Sequence, residues 1–411
     1  MLNANSEREL AYVVIIDGIE PIPGYDRVEH ALVGGWRVIV QKDQFKVGDP
    51  AIYFEIDSRV PSDKECFAFL EKRHYKVKTL KMCKTLSQGL LMHASDFGWN
   101  ICGAGHGGDP TVRQGIIEND GTIHFSDDES RFLTKKLGVT YADDEDNSRK
   151  APSVDKYKKM EMRHRKLFKN PVIHWFMRYK LGRKVMFFFF GKKKDKKNGW
   201  PSWVQKTDEE RVQNMPWILE NSDDWIATEK IDGTSTTFTM KRGKFGRKSF
   251  YVCSRNVCFG EETKPCYYDT NVYWEIAKKY DIYKVLSALL DIFPEEWITI
   301  QGETYGDGVQ NRNYSLSTHE FAAFNLIFSS RGRIGTIEMV RLLDKYHIPC
   351  VPVVEEKMKI NQFENVDAIL AYAEGKSQVD GLPREGIVFR TVDGQKSFKA
   401  VSNSFLLKYH G

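Results

Sequence analysis

Six short polar motifs in the C-terminal half constrain this chain more than any other feature of its sequence. In chain order they read KIDG at 230–233, CSRN at 253–256, QGETYG at 301–306, HEFAAFNLIF at 319–328, EGIVFR at 385–390 and QKSFKAV at 395–401. Each lies on or beside a short apolar run that predicts a β-strand. Each also has an ordinary explanation, such as an exposed strand end or a core aromatic ring. Because the chance occurrence of all six in this order is improbable, we interpret them as one constellation.

The first motif has a chemical interpretation of its own. Lys230 and Asp232 lie two residues apart at a strand end and therefore share one side of the strand. Gly233 lets the backbone approach a phosphate closely. A lysine that loses its proton is a nucleophile, and its pKa falls readily when it is desolvated or lies near another cation. A carboxylate beside it helps to hold a hydrated metal ion. In isolation, these four residues are more typical of a surface turn.

The N-terminal region predicts a small β-barrel. Strand patterns separated by turns cover 11–19, 36–40, 51–56, 75–82 and 88–93, with turn residues in DGIEPIPG (17–24) and VGDP (47–50). Five short strands without long helices favour an OB-fold. Lys76 and Lys78 share one face of their strand, where they suit a phosphate backbone or, equally, protect an edge strand from aggregation.

The chain divides into three predicted parts. Residues 1–98 form the OB-fold domain, residues 99–199 form a loop and a basic, aromatic-rich linker or insert, and residues 200–411 form an α+β domain. In the last part, helical patterns at 271–293 and 336–348 alternate with strands. The overall fold class is therefore α+β.

Positive charge is concentrated in one segment. Lys156–Lys197 holds sixteen Lys and Arg against two acidic residues, a balance of +14, so the rest of a chain of net charge +5 carries −9. Such a segment favours a polyanionic partner, above all nucleic acid. Its first half predicts a helix that ends before Pro171. A membrane-surface helix and a localisation signal are the alternatives.

The cysteine spacing and the apolar runs indicate the compartment in which the protein functions. The seven cysteines form no CxxC pair, which argues against a disulfide framework or a zinc site and favours a reducing compartment. The start, MLNANSEREL, has no apolar signal core, and the run MFFFF at 186–190 is far too short to span a membrane. We expect a soluble, intracellular monomer, with cytoplasm and nucleus both open.

The motif series resembles the nucleotidyltransferase motifs of covalent lysine ligases and mRNA capping enzymes over residues 200–411. More closely, GWRVIVQKDQFKVGD (35–49), SQGLL (87–91) and PSWVQKTDEERVQN (201–214) resemble RNA ligases of the Deinococcus/Naegleria type. That type places an OB domain before an ATP-dependent ligase domain. The basic stretch within 100–198 departs from the pattern, and no role is carried over to it.

The resemblance implies a catalytic group of five residues. Lys230 would take AMP from ATP as a lysyl phosphoramidate. Asp232, Glu303 and Glu385 match acidic positions that hold a catalytic Mg²⁺ or Mn²⁺ through its waters, or touch the ribose. Lys399 matches the last motif, whose lysines contact the α-phosphate.

The resemblance also implies nucleotide contacts. Glu229 would read the base edge, Phe324 would stack on adenine, and Arg255 and Asn256 match a motif that contacts the sugar and phosphate. The Lys-x-Lys pattern of the last motif reads Ser397-Phe398-Lys399 here, with Lys396 as a substitute for the first lysine.

The implied function is ATP-dependent joining of RNA 3′-OH and 5′-phosphate ends, as at a nicked duplex in RNA repair. A DNA nick ligase and a nucleic-acid-binding protein with an inactive nucleotidyltransferase domain are the alternatives. DNA ligases and capping enzymes carry their OB domain after the last motif. Only twelve residues of this sequence follow Lys399, too few for a five-stranded barrel, which disfavours both.

Overall fold

A computed structural model describes most of the two predicted domains. The described residues are 1–2, 8–103, 122–125, 132–141, 186, 200–206, 208–260, 266, 268, 270–310 and 312–410. Apart from Met186, the basic segment Lys156–Lys197 and the helix predicted in its first half lie outside the described residues.

The N-terminal domain is built from short antiparallel strands. These are β1 (Ala11–Ile15), β2 (Gly18–Ile22), β3 (Tyr25–Val33), β4 (Trp36–Gln41), β5 (Pro50–Phe54), β6 (Ser58–Arg59), β7 (Lys76–Val77), β8 (Thr79–Met82), β9 (Thr85–Gln88) and β10 (Leu90–Met92). They form the sheets β1-β5-β10 and β2-β3-β4, the hairpin β8-β9, and a pair between β6 and β7. Two 3-10 helical segments, Glu65–Arg73 and Ala94–Phe97, also belong to the domain.

Two strands differ from the sequence prediction. The segment 17–24, predicted as a turn, contains β2, which pairs with the unpredicted strand β3. Pro21 is tolerated because β2 lies at the edge of its sheet. In β3, Glu29 and His30 are buried although both are polar, which hides the strand's alternation. The strand predicted at 75–82 is split into β7 and β8, and Val77 is buried.

Part of the predicted linker belongs to the N-terminal domain. Helix α1 (Thr134–Leu137) and strand β13 (Thr140–Tyr141) follow a parallel pair, β11 (Asn100–Gly103) and β12 (Thr122–Phe125). Strand β13 pairs with β6. Leu133, Leu137 and Val139 lie in the same core cluster as Val13 and Phe54. A loop prediction therefore does not hold for 132–141, because its apolar residues complete the barrel core.

The C-terminal domain contains two sheets. Its strands are β14 (Glu210–Arg211), β15 (Asp224–Lys230), β16 (Thr234–Arg242), β17 (Lys248–Ser254), β18 (Cys258–Phe259), β19 (Trp297–Gly306), β20 (His319–Phe328), β21 (Gly332–Arg333), β22 (Val353–Lys359), β23 (Gly386–Thr391) and β24 (Ser397–Val401). The five-stranded sheet has the order β14-β24-β23-β15-β22, and the six-stranded sheet β18-β17-β16-β19-β20-β21.

Helices cover one face of each sheet. They are α2 (Val272–Lys279), α3 (Ile282–Ile292), α4 (Thr336–Asp344), α5 (Val366–Ala373) and α6 (Asn403–Phe405), with short helical segments at Val212–Asn214, Pro216–Glu220, Lys244–Gly246, Ile360–Gln362 and Leu406–His410. Helices α2, α3 and α4 pack on the six-stranded sheet, and α5 packs on the five-stranded sheet. The helix predicted at 271–293 is two helices, because Asp281 adopts a left-handed conformation with φ of 47°.

The chain crosses from one sheet to the other at the first motif. Strand β15 ends at Lys230 in the five-stranded sheet, and β16 begins at Thr234 in the six-stranded sheet. A Cβ atom on Gly233 would lie 2.3 Å from the carbonyl oxygen of Thr304 and 2.9 Å from Cγ of Glu303. Glycine is therefore required here, since any side chain would push the crossing away from β19. Within the described ranges, no helix is long and apolar enough to cross a lipid bilayer.

The contribution of residues 132–141 to the N-terminal core can be measured. Leu137→Ala removes a buried side chain and should lower the free energy of unfolding by about 2–5 kcal/mol in a urea titration. The exposed neighbour Lys135 offers a matched control, since Lys135→Ala should change it by less than about 0.5 kcal/mol. Equal effects of the two substitutions would mean that the segment does not belong to the core.

Candidate active site

Lys230 lies at the centre of the predicted site. In the antiparallel pair β15–β23, Lys230 lies opposite Gly386, which brings the preceding residue, Glu385, alongside it. The Nζ atom is 2.6 Å from Oε1 of Glu385, and 25 % of the lysine side chain is exposed. The amine is thus held by a carboxylate and remains reachable from solvent.

Two further predicted carboxylates surround this lysine. Glu303 lies on β19 opposite Ser235 of β16, next to the crossing. Asp232 lies in the crossing itself, where its backbone N–H donates to the Tyr314 hydroxyl at 2.7 Å. Charges on Glu385, Glu303 and Asp232 all act on Lys230. The fold therefore brings together the predicted nucleophile and all three predicted acidic residues from distant parts of the chain.

Burial and charge act in opposite directions on this group. Burial works to lower the pKa of Lys230, but the carboxylates of Glu385 and Glu303 outweigh it, so the pKa lies above its usual value. Burial raises the pKa of Glu303 to about 8, against the pull of Lys230, with a further rise from Glu385. In the protein alone, the acidic residues therefore hold Lys230 as an ammonium ion, and burial makes Glu303 easier to protonate than an exposed glutamate.

The acidic group fits a hydrated divalent cation. Three carboxylates face one lysine, and Oε2 of Glu385 is buried without a hydrogen-bond partner in the part of the chain that the structure describes. Among those residues, no three His, Cys, Asp or Glu side chains are spaced to ligate a metal directly. Carboxylates that bind a metal through its water shell suit Mg²⁺, which gives up its waters reluctantly. The donor set thus agrees with the predicted contact through water.

A second cluster of charges, centred on Asp208, lies close enough to Lys230 for their charges to interact. Lys399 on β24 places Nζ 2.9 Å from Oδ1 of Asp208, and Arg255 donates to Oδ2 of the same carboxylate at 2.9 Å. Burial lowers the pKa of Lys399 to about 8, in spite of Asp208, and Arg8 lowers it further. The pKa of Asp208 lies well below its usual value despite burial, because Arg8 and Lys399 stabilise its charge. Sequence reasoning assigned no role to Asp208, although it lies within the quoted stretch 201–214.

The predicted base-binding residues border one apolar group. Glu229 is buried on β15, and its Oε2 accepts the Gln378 backbone N–H at 2.7 Å. Its Oε1 is buried and has no partner among the described residues, so it is available to a ligand. Phe324 lies at an irregularity in the β19–β20 register and packs against a cluster that contains Ile231. A bulge of this kind redirects a side chain, here towards the end of β15.

The structure does not bring Lys396 to this site. It is 62 % exposed and pairs with Asp223 at 2.7 Å, at the opposite end of β15 from Lys230. Strand alternation explains this, because Ser397 and Lys399 share a face of β24 that Lys396 does not. The prediction that Lys396 replaces the missing lysine is therefore wrong in this structure. Instead, Arg333 of β21 donates to the Ser397 hydroxyl at 2.9 Å. It was missed because it comes from another strand.

Asn256 lies beside Arg255, as its sequence position requires. Its Oδ1 accepts a hydrogen bond from Nζ of Lys206 at 3.0 Å. Arg255 itself is 45 % exposed. Both side chains thus lie at the open edge of the charged cluster, where the predicted sugar and phosphate contacts would form.

Comparisons with known proteins agree with this arrangement. Residues 223–410 match the RNA ligase family model, and residues 10–94 match the model of an OB-fold domain. Among curated proteins, none matches this sequence.

Solved structures of the RNA ligase of Naegleria gruberi resemble nearly the whole chain. A mutant with ATP and Mn is 24% identical, with a TM-score of 0.67 and coverage of 97% of this chain and 98% of that chain. The ligase with PPi is 24% identical, with a TM-score of 0.68 and the same coverage, 97% and 98%. A mutant with AMP and Mn is 25% identical, with a TM-score of 0.67 and coverage of 97% and 98%.

The fold is thus an N-terminal OB-fold domain followed by an α+β ligase domain, as predicted. Residues 223–410, which contain Lys230, Glu303 and Glu385, are thus similar to the RNA ligase family. The predicted resemblance to RNA ligases of the Deinococcus/Naegleria type is confirmed at the level of the fold.

The pKa of Lys399 predicts how nucleotide binding depends on pH. With a pKa of about 8, its charge is present at pH 7 and is lost as the pH rises through that value, whereas a bound phosphate favours the charged form. The affinity of a Lys230→Ala background for ATP should therefore fall by up to about tenfold between about pH 7 and 9, as measured by calorimetry.

Lys399→Arg provides the control in the same background. A guanidinium stays charged throughout this range, so its affinity for ATP should be nearly independent of pH. Parallel pH profiles for the two proteins would contradict the assignment of the titration to Lys399.

Proposed function

We propose that this protein is an ATP-dependent ligase that joins RNA 3′-OH and 5′-phosphate ends at nicks, acts as a monomer, and serves RNA repair inside the cell. The observation that supports this most directly is the position of Lys230. Its amine lies 2.6 Å from Glu385 at a solvent-reachable point, with the other predicted carboxylates around it.

In the first step, the Lys230 amine attacks the α-phosphorus of ATP. A phosphorus–nitrogen bond forms, the bond to pyrophosphate breaks, and pyrophosphate leaves. The lysine must first lose a proton, and Oε1 of Glu385 is the acceptor in contact with it. A divalent cation, when bound, stabilises the charge on the phosphate oxygens and offsets the carboxylates that raise the pKa of Lys230. Lys399 adds positive charge for the α-phosphate.

The next two steps transfer AMP to the RNA end and then join the two ends. The 5′-phosphate of RNA attacks the phosphorus of the lysyl-AMP, which forms a phosphorus–oxygen bond and releases Lys230. The 3′-OH then attacks the activated 5′-phosphate, so that a phosphodiester forms and AMP leaves. Charge that develops on the phosphate oxygens in each step meets the same preorganised cations.

The decisive experiment is formation of a covalent adduct with labelled ATP. The protein with Mn²⁺ should acquire one AMP, and Lys230→Ala should remove the adduct entirely, because no other amine occupies this position. EDTA should also prevent adduct formation by removing the cation. Lys357→Ala is the matched control, since this lysine on β22 is 71 % exposed and should leave the yield unchanged. An adduct that survives Lys230→Ala would reject the proposed nucleophile.

Sealing assays separate RNA ligation from the alternatives. Matched nicked duplexes that differ only in RNA or DNA on the 3′-OH side should be sealed preferentially when that side is RNA. Equal or better sealing of the DNA nick would favour a DNA ligase. No sealing of either, with normal adduct formation, would leave a nucleotidyltransferase with another acceptor.

We also propose that the basic segment Lys156–Lys197 contributes phosphate contacts to RNA. The proposal rests on its charge of +14. Deletion of 156–197 should weaken binding of nicked RNA and flatten its dependence on salt, because each lost phosphate contact reduces the slope by about 0.7–0.9. Adduct formation should be unchanged. Unchanged RNA binding would favour the localisation or membrane interpretation.

A further inference from the structure

One buried carboxylate connects both domains to two cations of the active site. Asp208 precedes β14, and its side chain is only 11 % exposed. Its partners are Arg8 and Tyr141 from the N-terminal domain, and Lys399 and Arg255 from the C-terminal domain. Three cations thus converge on one carboxylate, although neither Asp208 nor Arg8 belongs to a predicted site motif.

The N-terminal domain holds this carboxylate from one side. Arg8 grips it with two hydrogen bonds, from Nε to Oδ2 at 2.9 Å and from a terminal nitrogen to Oδ1 at 3.1 Å. Paired bonds of this kind fix orientation as well as distance. Arg8 is itself 5 % exposed and bonded to Glu55 at 3.2 Å. Asp208 is therefore anchored independently of Lys399 and Arg255.

The two active-site cations use only part of their hydrogen-bonding capacity on Asp208. An ammonium group has three N–H donors, and Asp208 is the one acceptor of Lys399 Nζ among the described residues. Arg255 donates from one terminal nitrogen to Asp208 and to the Tyr141 hydroxyl, at 2.9 and 3.2 Å. Donors therefore remain on both cations, in an orientation that the carboxylate sets.

The balance of charges around Asp208 indicates which kind of ligand the remaining N–H donors of Lys399 and Arg255 would bind. Arg8 also pairs with Glu55 and Glu210. The single negative charge of Asp208 therefore neutralises only one of its two partners in the C-terminal domain, Lys399 and Arg255. The excess positive charge lies at Lys399 and Arg255, and the charge of Lys230 acts on Lys399 as well. An anionic phosphate would complete the balance, and burial would strengthen its attraction to both cations.

We propose that Asp208 is a positioning residue that aligns Lys399 and Arg255 for the phosphates of ATP, and that Arg8 and Tyr141 anchor it. The N-terminal domain thereby sets the geometry of the nucleotide site in addition to binding nucleic acid. This inference rests on the proposed function, because it takes ATP to be the nucleotide bound beside Lys230.

The test measures ATP affinity by calorimetry with Mn²⁺ in a Lys230→Ala background, where bound ATP is not consumed. Asp208→Asn keeps the shape of the side chain but loses its charge and one acceptor, and affinity should fall by about 10- to 100-fold. The matched control is Asp367→Asn, which breaks another contact between the domains, to Arg37 at 2.8 Å, without touching either cation. That variant should bind ATP within about twofold of the parent.

A double-mutant cycle separates positioning from a purely structural role. If Asp208 acts through Lys399, then Asp208→Asn should cost much less affinity in a Lys399→Ala background than in the parent. If Asp208 only stabilised the fold, Asp208→Asn would lower ATP affinity by the same factor in both backgrounds, and that additive result would overturn the proposal. An unchanged affinity of Asp208→Asn would overturn it as well.

Tyr141→Phe gives a second approach if Asp208→Asn does not fold. It removes one hydroxyl that contacts both Asp208 and Arg255, and should lower ATP affinity by about 2- to 10-fold at an unchanged melting temperature. A folded Tyr141→Phe variant with normal ATP affinity would contradict the proposal that Tyr141 anchors Asp208.

Failure of the proposed function has a different signature. A protein with Lys230 that binds ATP tightly but forms no adduct would reject ligation and leave the effect of Asp208 on affinity intact. A protein that forms the adduct while Asp208→Asn binds ATP normally would reject only the positioning role.

Discussion

The contact between Lys230 and Glu385 depends on the pairing of β15 with β23, and the rest of the site is arranged around that pair. The two residues are far apart in sequence, and only the antiparallel register opposite Gly386 makes them neighbours. The chain then leaves the sheet at once, through a glycine with no room for a side chain, and enters the second sheet beside Glu303. Two sheets thus bring one amine and three acidic side chains together at a single site.

The environments of Lys230 and Lys399 shift the pKa values of these two lysines in opposite directions. Carboxylates raise the pKa of Lys230, whereas burial and neighbouring arginines lower that of Lys399. Lys230 is therefore held in its charged form, and added positive charge would offset the acids. Lys399, in contrast, loses its charge more easily than an exposed lysine and depends on an anionic neighbour to retain it. In the proposed reaction, a bound nucleotide and cation would shift both pKa values in the required directions.

The motif series made the fold class predictable, because each motif combines a strand pattern with a chemically demanding residue. The structure also brings Lys230, Glu303 and Glu385 together, while their roles as nucleophile and acidic group stay predictions. Three features escaped prediction for separate reasons. Strand β3 carries buried polar residues, and residues 132–141 lie in a stretch with little strand signal. Lys396 immediately precedes β24, one residue out of phase with Lys399. Asp208 and Arg333 act through residues distant in sequence, and local pattern does not report such contacts.

The placement of Tyr141 and Lys206 has a topological consequence. Tyr141 contacts Arg255, and Lys206 contacts Asn256, so two segments that are distant in the sequence meet at one pair of adjacent residues. A substitution at Arg255 or Asn256 would therefore disturb both segments at once, and a change in either segment would reach this pair directly.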